Sequence, residues 1–269
     1  MPRVNVRIAG VLNVTPDSFS DGGRDASAAA AIARGLTLWA EGAAWVDVGG
    51  ESTRPGAAPV DEAEELRRVM PVIEGLVAAG APVSIDTQKP GVARAALAAG
   101  ARLVNDVGGL RVEGMAEAAA EFGAGVVVMH MRGDPLTMQR HTRYEDVVGE
   151  VRAGLELGLR RALDAGVREI WLDPGLGFGK DTAGNLTLLR RLPELLDLGF
   201  PLYVGASRKR FIGELTGRDA PLERSYGSVG AALAAVVGGA SALRVHDVAA
   251  TRDALAVFLA ARPPVVGAA

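Results

Sequence analysis

Short runs of apolar, β-branched residues alternate along this chain with longer Ala- and Leu-rich stretches of helical period, without a polar or Pro/Ser-rich linker between them. The pattern predicts strands at Ile8–Val14, Trp45–Val48, Val83–Asp86, Leu103–Asp106, Gly125–Met129, Ile170–Asp173, Leu202–Gly205 and Ala242–Val245. It predicts helices at Ala26–Glu41, Ala63–Ala79, Lys89–Ala99, Gly114–Phe122, Tyr144–Ala165, Leu186–Leu196, Ser228–Val237 and Val248–Ala261. Strict alternation of this kind makes βα units with parallel strands, either a closed barrel or a doubly wound open sheet. A dinucleotide-binding open sheet would carry G-x-G-x-x-G after its first strand. Here that turn reads Asn13-Val14-Thr15-Pro16-Asp17-Ser18-Phe19-Ser20-Asp21-Gly22-Gly23. The expectation is therefore an α/β chain folded as one (β/α)₈ TIM barrel, a single domain over residues 1–269, with its active site at the C-terminal ends of the strands.

Length agrees, since a barrel of this type needs roughly 250 residues. The formal charge of −3 and the lack of a basic run argue against nucleic acid or an anionic membrane as partner, which leaves small molecules. No apolar stretch is long enough to span a bilayer and no signal sequence is visible, so a cytoplasmic location is expected. Without cysteine there is no disulfide, no thiolate nucleophile and no Cys-bound zinc. Of the 29 basic residues only Lys89, Lys180 and Lys209 are lysine, which makes each of them worth accounting for.

Polar residues gather where the predicted strands end: Asn13, Asp47, Asp86, Asn105 with Asp106, His130, Asp173, Ser207 to Lys209, and Arg244 with His246. In a barrel these ends converge on one mouth. Asp and Asn also cap helices and turns, and Asp47 and Asp106 are the members best explained that way. The rest divide into two chemical groups. Asp86, Asn105 and Asp173 suit the N–H edge of a flat, nitrogen-rich heterocycle. Arg244, His246, Arg54, Thr53 and Asn13 suit phosphate oxygens. The run Asp173-Pro174-Gly175-Leu176-Gly177-Phe178-Gly179-Lys180 lacks the spacing of a nucleotide loop, and Phe178 and Met129 read as core, the commoner fate of such residues, or as walls for a planar ligand. Three dispersed histidines make no zinc site, whereas Mg²⁺ held by Asn13 and a substrate diphosphate is compatible with so sparse a donor set.

The motifs resemble one family along nearly the whole chain. Gly10-Val11-Leu12-Asn13-Val14-Thr15-Pro16-Asp17-Ser18-Phe19-Ser20-Asp21-Gly22-Gly23 is similar to the first loop of the dihydropteroate synthases, and Gly50-Glu51-Ser52-Thr53-Arg54-Pro55-Gly56 to their second. Ser84-Ile85-Asp86-Thr87, Asn105-Asp106, Met129-His130-Met131, the Asp173–Lys180 run, Ser207-Arg208-Lys209 and Arg244-Val245-His246-Asp247 follow in the family's order. Leu176 departs from it, standing where an aromatic residue is frequent.

The resemblance implies that Asp86, Asn105, Asp173 and Lys209 bind a pterin with Met129 and Phe178 lining its pocket. It implies that Asn13, Arg244 and His246 hold diphosphate and Mg²⁺, and that Thr53, Pro55, Phe19, Ser207 and Arg208 help form a p-aminobenzoate site. The implied reaction, with a homodimer as the expected assembly, is displacement of diphosphate from (7,8-dihydropterin-6-yl)methyl diphosphate by the amine of p-aminobenzoate. Asp86, Lys209, Arg244 and His246 are its expected catalytic groups. Three rivals share parts of this pattern: a folate-dependent methyltransferase pterin domain, a Schiff-base aldolase using Lys209, and a non-catalytic pterin-binding paralogue.

Overall fold

The computed structural model describes residues 6–15, 23–54 and 56–261. Eight parallel strands close into a barrel in sequence order: β1 (Arg7–Asn13), β2 (Trp45–Gly49), β3 (Val83–Asp86), β4 (Leu103–Asp106), β5 (Gly125–Met129), β6 (Ile170–Asp173), β7 (Leu202–Val204) and β8 (Ala240–Val245). Around it lie α1 (Gly23–Ala40), α2 (Glu62–Ala78), α3 (Pro90–Ala98), α4 (Met115–Glu121), α5 (Val147–Asp164), α6 (Thr182–Arg190), α7 (Arg210–Thr216), α8 (Ser225–Val237) and α9 (Val248–Ala261). Closure settles the choice between barrel and open sheet.

Three helical expectations differ from the structure. The helix expected from Tyr144 starts at Val147, because the Asp146 carboxylate caps it by accepting from the Val148 amide. The helix expected at Leu186–Leu196 divides into α6 and a 3₁₀ segment, Leu192–Leu198, where Pro193 withholds the N–H that would continue the α ladder. The pattern also passes over α7, whose seven residues bury only Phe211, Ile212 and Gly213 and so offer too short a periodic signal.

Alternation splits the packing into two layers. Residues facing outward from the strands, such as Val46, Val48, Val83, Ile85, Val126 and Val128, join the helices in one large core. Inside the barrel a second cluster consists of Ala9, Trp45, Leu103, Val127, Trp171, Tyr203 and Ala242. Trp45 and Trp171 meet edge to face at 5.5 Å, and the Arg7 guanidinium lies 5.0 Å from the Trp45 ring. The lower barrel is therefore filled and dry, which leaves the C-terminal end of the strands as the open mouth.

Candidate active site

Register brings the strand-end residues together. Paired residues on parallel strands face the same side, and Asn13 pairs with Gly49, Gly49 with Asp86, and Asp86 with Asn105. Met129 pairs with Asp173. One turn of the barrel thus presents Asn13, Asp86, Asn105, Met129 and Asp173 toward the mouth, far apart in the sequence yet adjacent in the fold.

Beneath them lies a residue that sequence reasoning placed among the structural caps. Asp47 is fully buried and accepts from Arg244 Nε at 2.6 Å, Ser84 Oγ at 2.6 Å and Asn105 Nδ2 at 3.1 Å. It satisfies protein groups, as a structural residue does, but two of them are site residues. What hid it is that its partners come from β3, β4 and β8, and only the register reveals them. Asp106, by contrast, accepts from the Gly108 and Leu110 amides at 2.7 Å each and closes the turn after β4.

Arg244 reaches from β8 to two carboxylates: its Nη2 donates to Asp86 Oδ2 at 2.6 Å while its Nε serves Asp47. The ring-edge group and the anion group are consequently joined through this ion pair rather than lying side by side. The remaining Asp86 oxygen, Oδ1, is buried without a hydrogen-bond partner among the described residues. A buried acceptor left open is costly unless a ligand fills it. Burial pushes the Asp86 carboxyl up to about 7, against the pull of Arg244, with Asp47 adding to the rise. Asp173 is raised to about 6, again mainly by burial, although the Gly175 amide donates to its Oδ1 at 2.7 Å. Arg244 itself is driven upward by Asp47 and Asp86 against the cost of burial, so it stays a cation.

On the opposite wall, Lys209 Nζ lies 3.8 Å from the centroid of the Phe178 ring, a cation–π contact that fixes Phe178 as part of the site wall. Burial and the neighbouring Arg244 charge lower the Lys209 ammonium to about 8, with Asp173 and Asp86 opposing. Ser207 Oγ lies 3.0 Å from His246 Nδ1, and the His246 amide donates to the same oxygen at 3.2 Å. Burial, with Arg208 and Arg244 nearby, lowers His246 to about 3, so it acts as a neutral imidazole. Arg208 adopts a left-handed backbone (φ +59°), and its Nη2 donates to Asp247 Oδ1 at 2.7 Å. Thr53 and Arg54 sit on the loop after β2, with Arg54 exposed and close enough for its charge to act on Lys209. Phe19 and Pro55 lie outside the described residues.

His130, a candidate at the mouth, instead turns toward Lys180, whose Nζ is 3.1 Å from its Nδ1. Lys180 and the bridge of Lys89 to Glu51 and Glu65 were not anticipated from the pattern beyond the scarcity of lysine. No group of three or more His, Asp or Glu able to hold a metal occurs among the described residues.

Residues 9–246 match the family model described as pterin binding enzyme. The dihydropteroate synthase of Escherichia coli (strain K12) is 46% identical over 253 residues, covering 93% of this chain and 89% of that one. The chain belongs to the pterin binding enzymes, among the dihydropteroate synthases. Solved structures of that family agree in fold. The Xanthomonas albilineans dihydropteroate synthase with 4-aminobenzoic acid has a TM-score of 0.90 at 53% identity, covering 96% of this chain and 94% of that one. The Thermus thermophilus enzyme in complex with 6HMPPP has a TM-score of 0.83 at 49% identity, covering 96% and 94%.

Proposed function

We propose that this chain condenses (7,8-dihydropterin-6-yl)methyl diphosphate with p-aminobenzoate to give 7,8-dihydropteroate and diphosphate, a transferase step of folate synthesis, on one barrel domain spanning residues 1–269. The observation that carries the reading is the buried, unpartnered Asp86 Oδ1, set beside Asn105 in register and facing the same mouth as Asp173. Two carboxylates and an amide in that arrangement complement a ring edge of N–H groups, which would give Asp86 Oδ1 the donor it lacks.

In the reaction the methylene carbon loses the diphosphate oxygen and gains the aniline nitrogen, which then releases a proton; the bonding electrons leave with the diphosphate. No covalent enzyme intermediate is needed. Asp86 and Asp173, as anions, hold the ring and favour positive charge spreading into it as the C–O bond stretches. Asn105 is oriented for the ring by the hydrogen bond from its Nδ2 to Asp47. Arg244 and the imidazole of His246 face the departing diphosphate, and Lys209 lies between pterin and amine. Met129 and Phe178, which share one buried apolar cluster, line the pocket of the ring. Thr53, Arg54, Pro55, Phe19, Ser207 and Arg208 are assigned to the p-aminobenzoate side on the resemblance, supported by the nearness of Arg54 to Lys209.

Mg²⁺ is the cation that fits here. Asn13 offers an amide oxygen at the mouth, and a cation that keeps waters and takes phosphate oxygens suits so sparse a donor set. Bound between Asn13 and the diphosphate, Mg²⁺ would neutralise charge on the leaving group. Pairing as a homodimer is supported by α8, on which Tyr226, Gly230 and Val237 are exposed beside the half-buried Leu233, with Tyr226 93% exposed. A cytoplasmic location agrees with small, water-soluble substrates, and no helix among the described residues is long and apolar enough to cross a membrane.

The test incubates purified protein with the dihydropterin diphosphate, Mg²⁺ and labelled p-aminobenzoate. Dihydropteroate and diphosphate are expected in equal amounts. Tight pterin binding without product would favour the non-catalytic paralogue, and methyl transfer from a folate to a corrinoid protein would favour the methyltransferase.

A further inference from the structure

Lys180 is 3% exposed, and its Nζ donates to the carbonyl oxygens of Gly175 and Phe178 at 2.9 Å each and of His130 at 3.2 Å. His130 Nδ1 approaches at 3.1 Å. Among the described residues no carboxylate stands within ion-pair distance of this ammonium. Its charge is balanced by peptide dipoles. Burial lowers it to about 7, with the charge of Asp173 opposing the fall. An apolar residue of similar length would cost less if packing were its only task.

The carbonyls around Lys180 belong to two segments that carry pterin-pocket residues. His130 directly follows Met129 at the end of β5, while Gly175 and Phe178 lie on the turn that follows Asp173. That turn has little freedom of its own. Gly175, Gly177 and Gly179 all hold positive φ, at 67°, 81° and 62°. A Cβ on Gly175 would lie 2.0 Å from the His130 carbonyl oxygen, so the two segments are pressed together where their oxygens would otherwise repel. A cation between them is what makes that approach favourable.

Resting on the proposed function, we infer that Lys180 is a positioning residue: seated among the carbonyls of His130, Gly175 and Phe178, it clamps the turn after β6 to the end of β5 and thereby sets the width of the pterin slot between Met129, Asp173 and Phe178. Its action is confined to that slot. On the p-aminobenzoate side, Ser52 accepts from the Arg54 amide and Ser207 pairs with His246, bonds in which Lys180 takes no part.

Lys180→Met keeps an unbranched side chain one atom shorter and removes the donors. The experiment measures binding of 6-hydroxymethylpterin to wild type and variant by calorimetry, and KM for both substrates with kcat. Expected is a loss of roughly tenfold or more in pterin affinity, a matching rise in the dihydropterin diphosphate KM, and a p-aminobenzoate KM within about twofold. Lys180→Gln, which retains two N–H donors on a shorter arm, should fall between the two; it carries the comparison where Lys180→Met does not fold. Equal pterin affinity in wild type and a folded variant, or equal rises in both KM values, overturns the clamp. A wild type that does not bind the pterin at all overturns instead the proposed function.

Discussion

Replacing Asp47 by Asn changes one atom of the most deeply placed polar group in the site, and its consequences can be worked out from the three bonds it makes. Arg244 Nε and Asn105 Nδ2 both donate to Asp47 Oδ2 and Ser84 Oγ to Oδ1, so the amide can keep its oxygen toward the two nitrogen donors only by turning NH₂ toward the Ser84 hydroxyl, and in either orientation Arg244 loses a buried negative charge. Removing one member of a buried ion pair costs about 3–5 kcal/mol. Arg244 keeps Asp86 as a partner, so the lower end, about 3 kcal/mol, is expected. For a chain of this size that lowers Tm by roughly 6–12 °C. Activity gives the sharper readout. In the free wild-type enzyme Asp86 titrates near 7 and Asp173 near 6, and each must be an anion to accept ring N–H groups. Hence kcat/KM for the pterin falls as pH drops through that interval. Asp47 raises Asp86 by charge repulsion, so Asp47→Asn lowers the Asp86 pKa and moves the acid limb to lower pH. At the optimum, kcat/KM should drop about tenfold or more as Arg244 and Asn105 lose their common anchor. Thermal unfolding combined with pH profiles for both substrates decides the matter. A folded variant with unchanged Tm and an acid limb at its original position would refute the role given to Asp47.

Asp173→Asn should weaken pterin binding by about 1–3 kcal/mol, because its oxygen can keep the Gly175 amide only by turning NH₂ toward the ring; calorimetry with a pterin reads it, and unchanged affinity would make Asp173 a turn residue alone. Lys209→Arg places a planar fork where a compact ammonium meets the Phe178 ring, and a loss in kcat is expected in steady-state assays; near-normal turnover with both KM values unchanged would remove geometry as the reason for lysine. Gly175→Ala puts a methyl group 2.0 Å from the His130 carbonyl oxygen at φ +67°, so the soluble yield should collapse or Tm fall steeply; a variant of wild-type stability would mean that the turn is not pressed against β5 as described.

The order of elements and the strand positions were legible in the sequence because each depends on local periodicity; the barrel was expected from the lack of a dinucleotide turn and from the resemblance, and the pairing of β8 with β1 established it. A parallel strand buried on both faces is a short, mostly apolar run, and a carboxylate marks its end at Asp86, Asp106 and Asp173. The mouth could be read for the same reason, since one end of every strand carried the polar groups. What the sequence left undecided were relations between residues distant in the chain. Asp47 and Asp106 look alike as strand-end carboxylates; β-sheet register turns the first into the support of Arg244 and Asn105 and the second into a turn cap. Arg244 was legible as a cation for phosphate, but its pairing with Asp86 required closure of β8 onto β1, which brings the first and last strands together. Lys180 and His130 had no local pattern to distinguish them, because their environment consists of backbone carbonyls supplied by another strand and a glycine turn. Local sequence thus determined at which end of the strands the mouth lies, while the tertiary structure decided which strand-end residues face it and which are paired, buried or left with an open acceptor for a ligand.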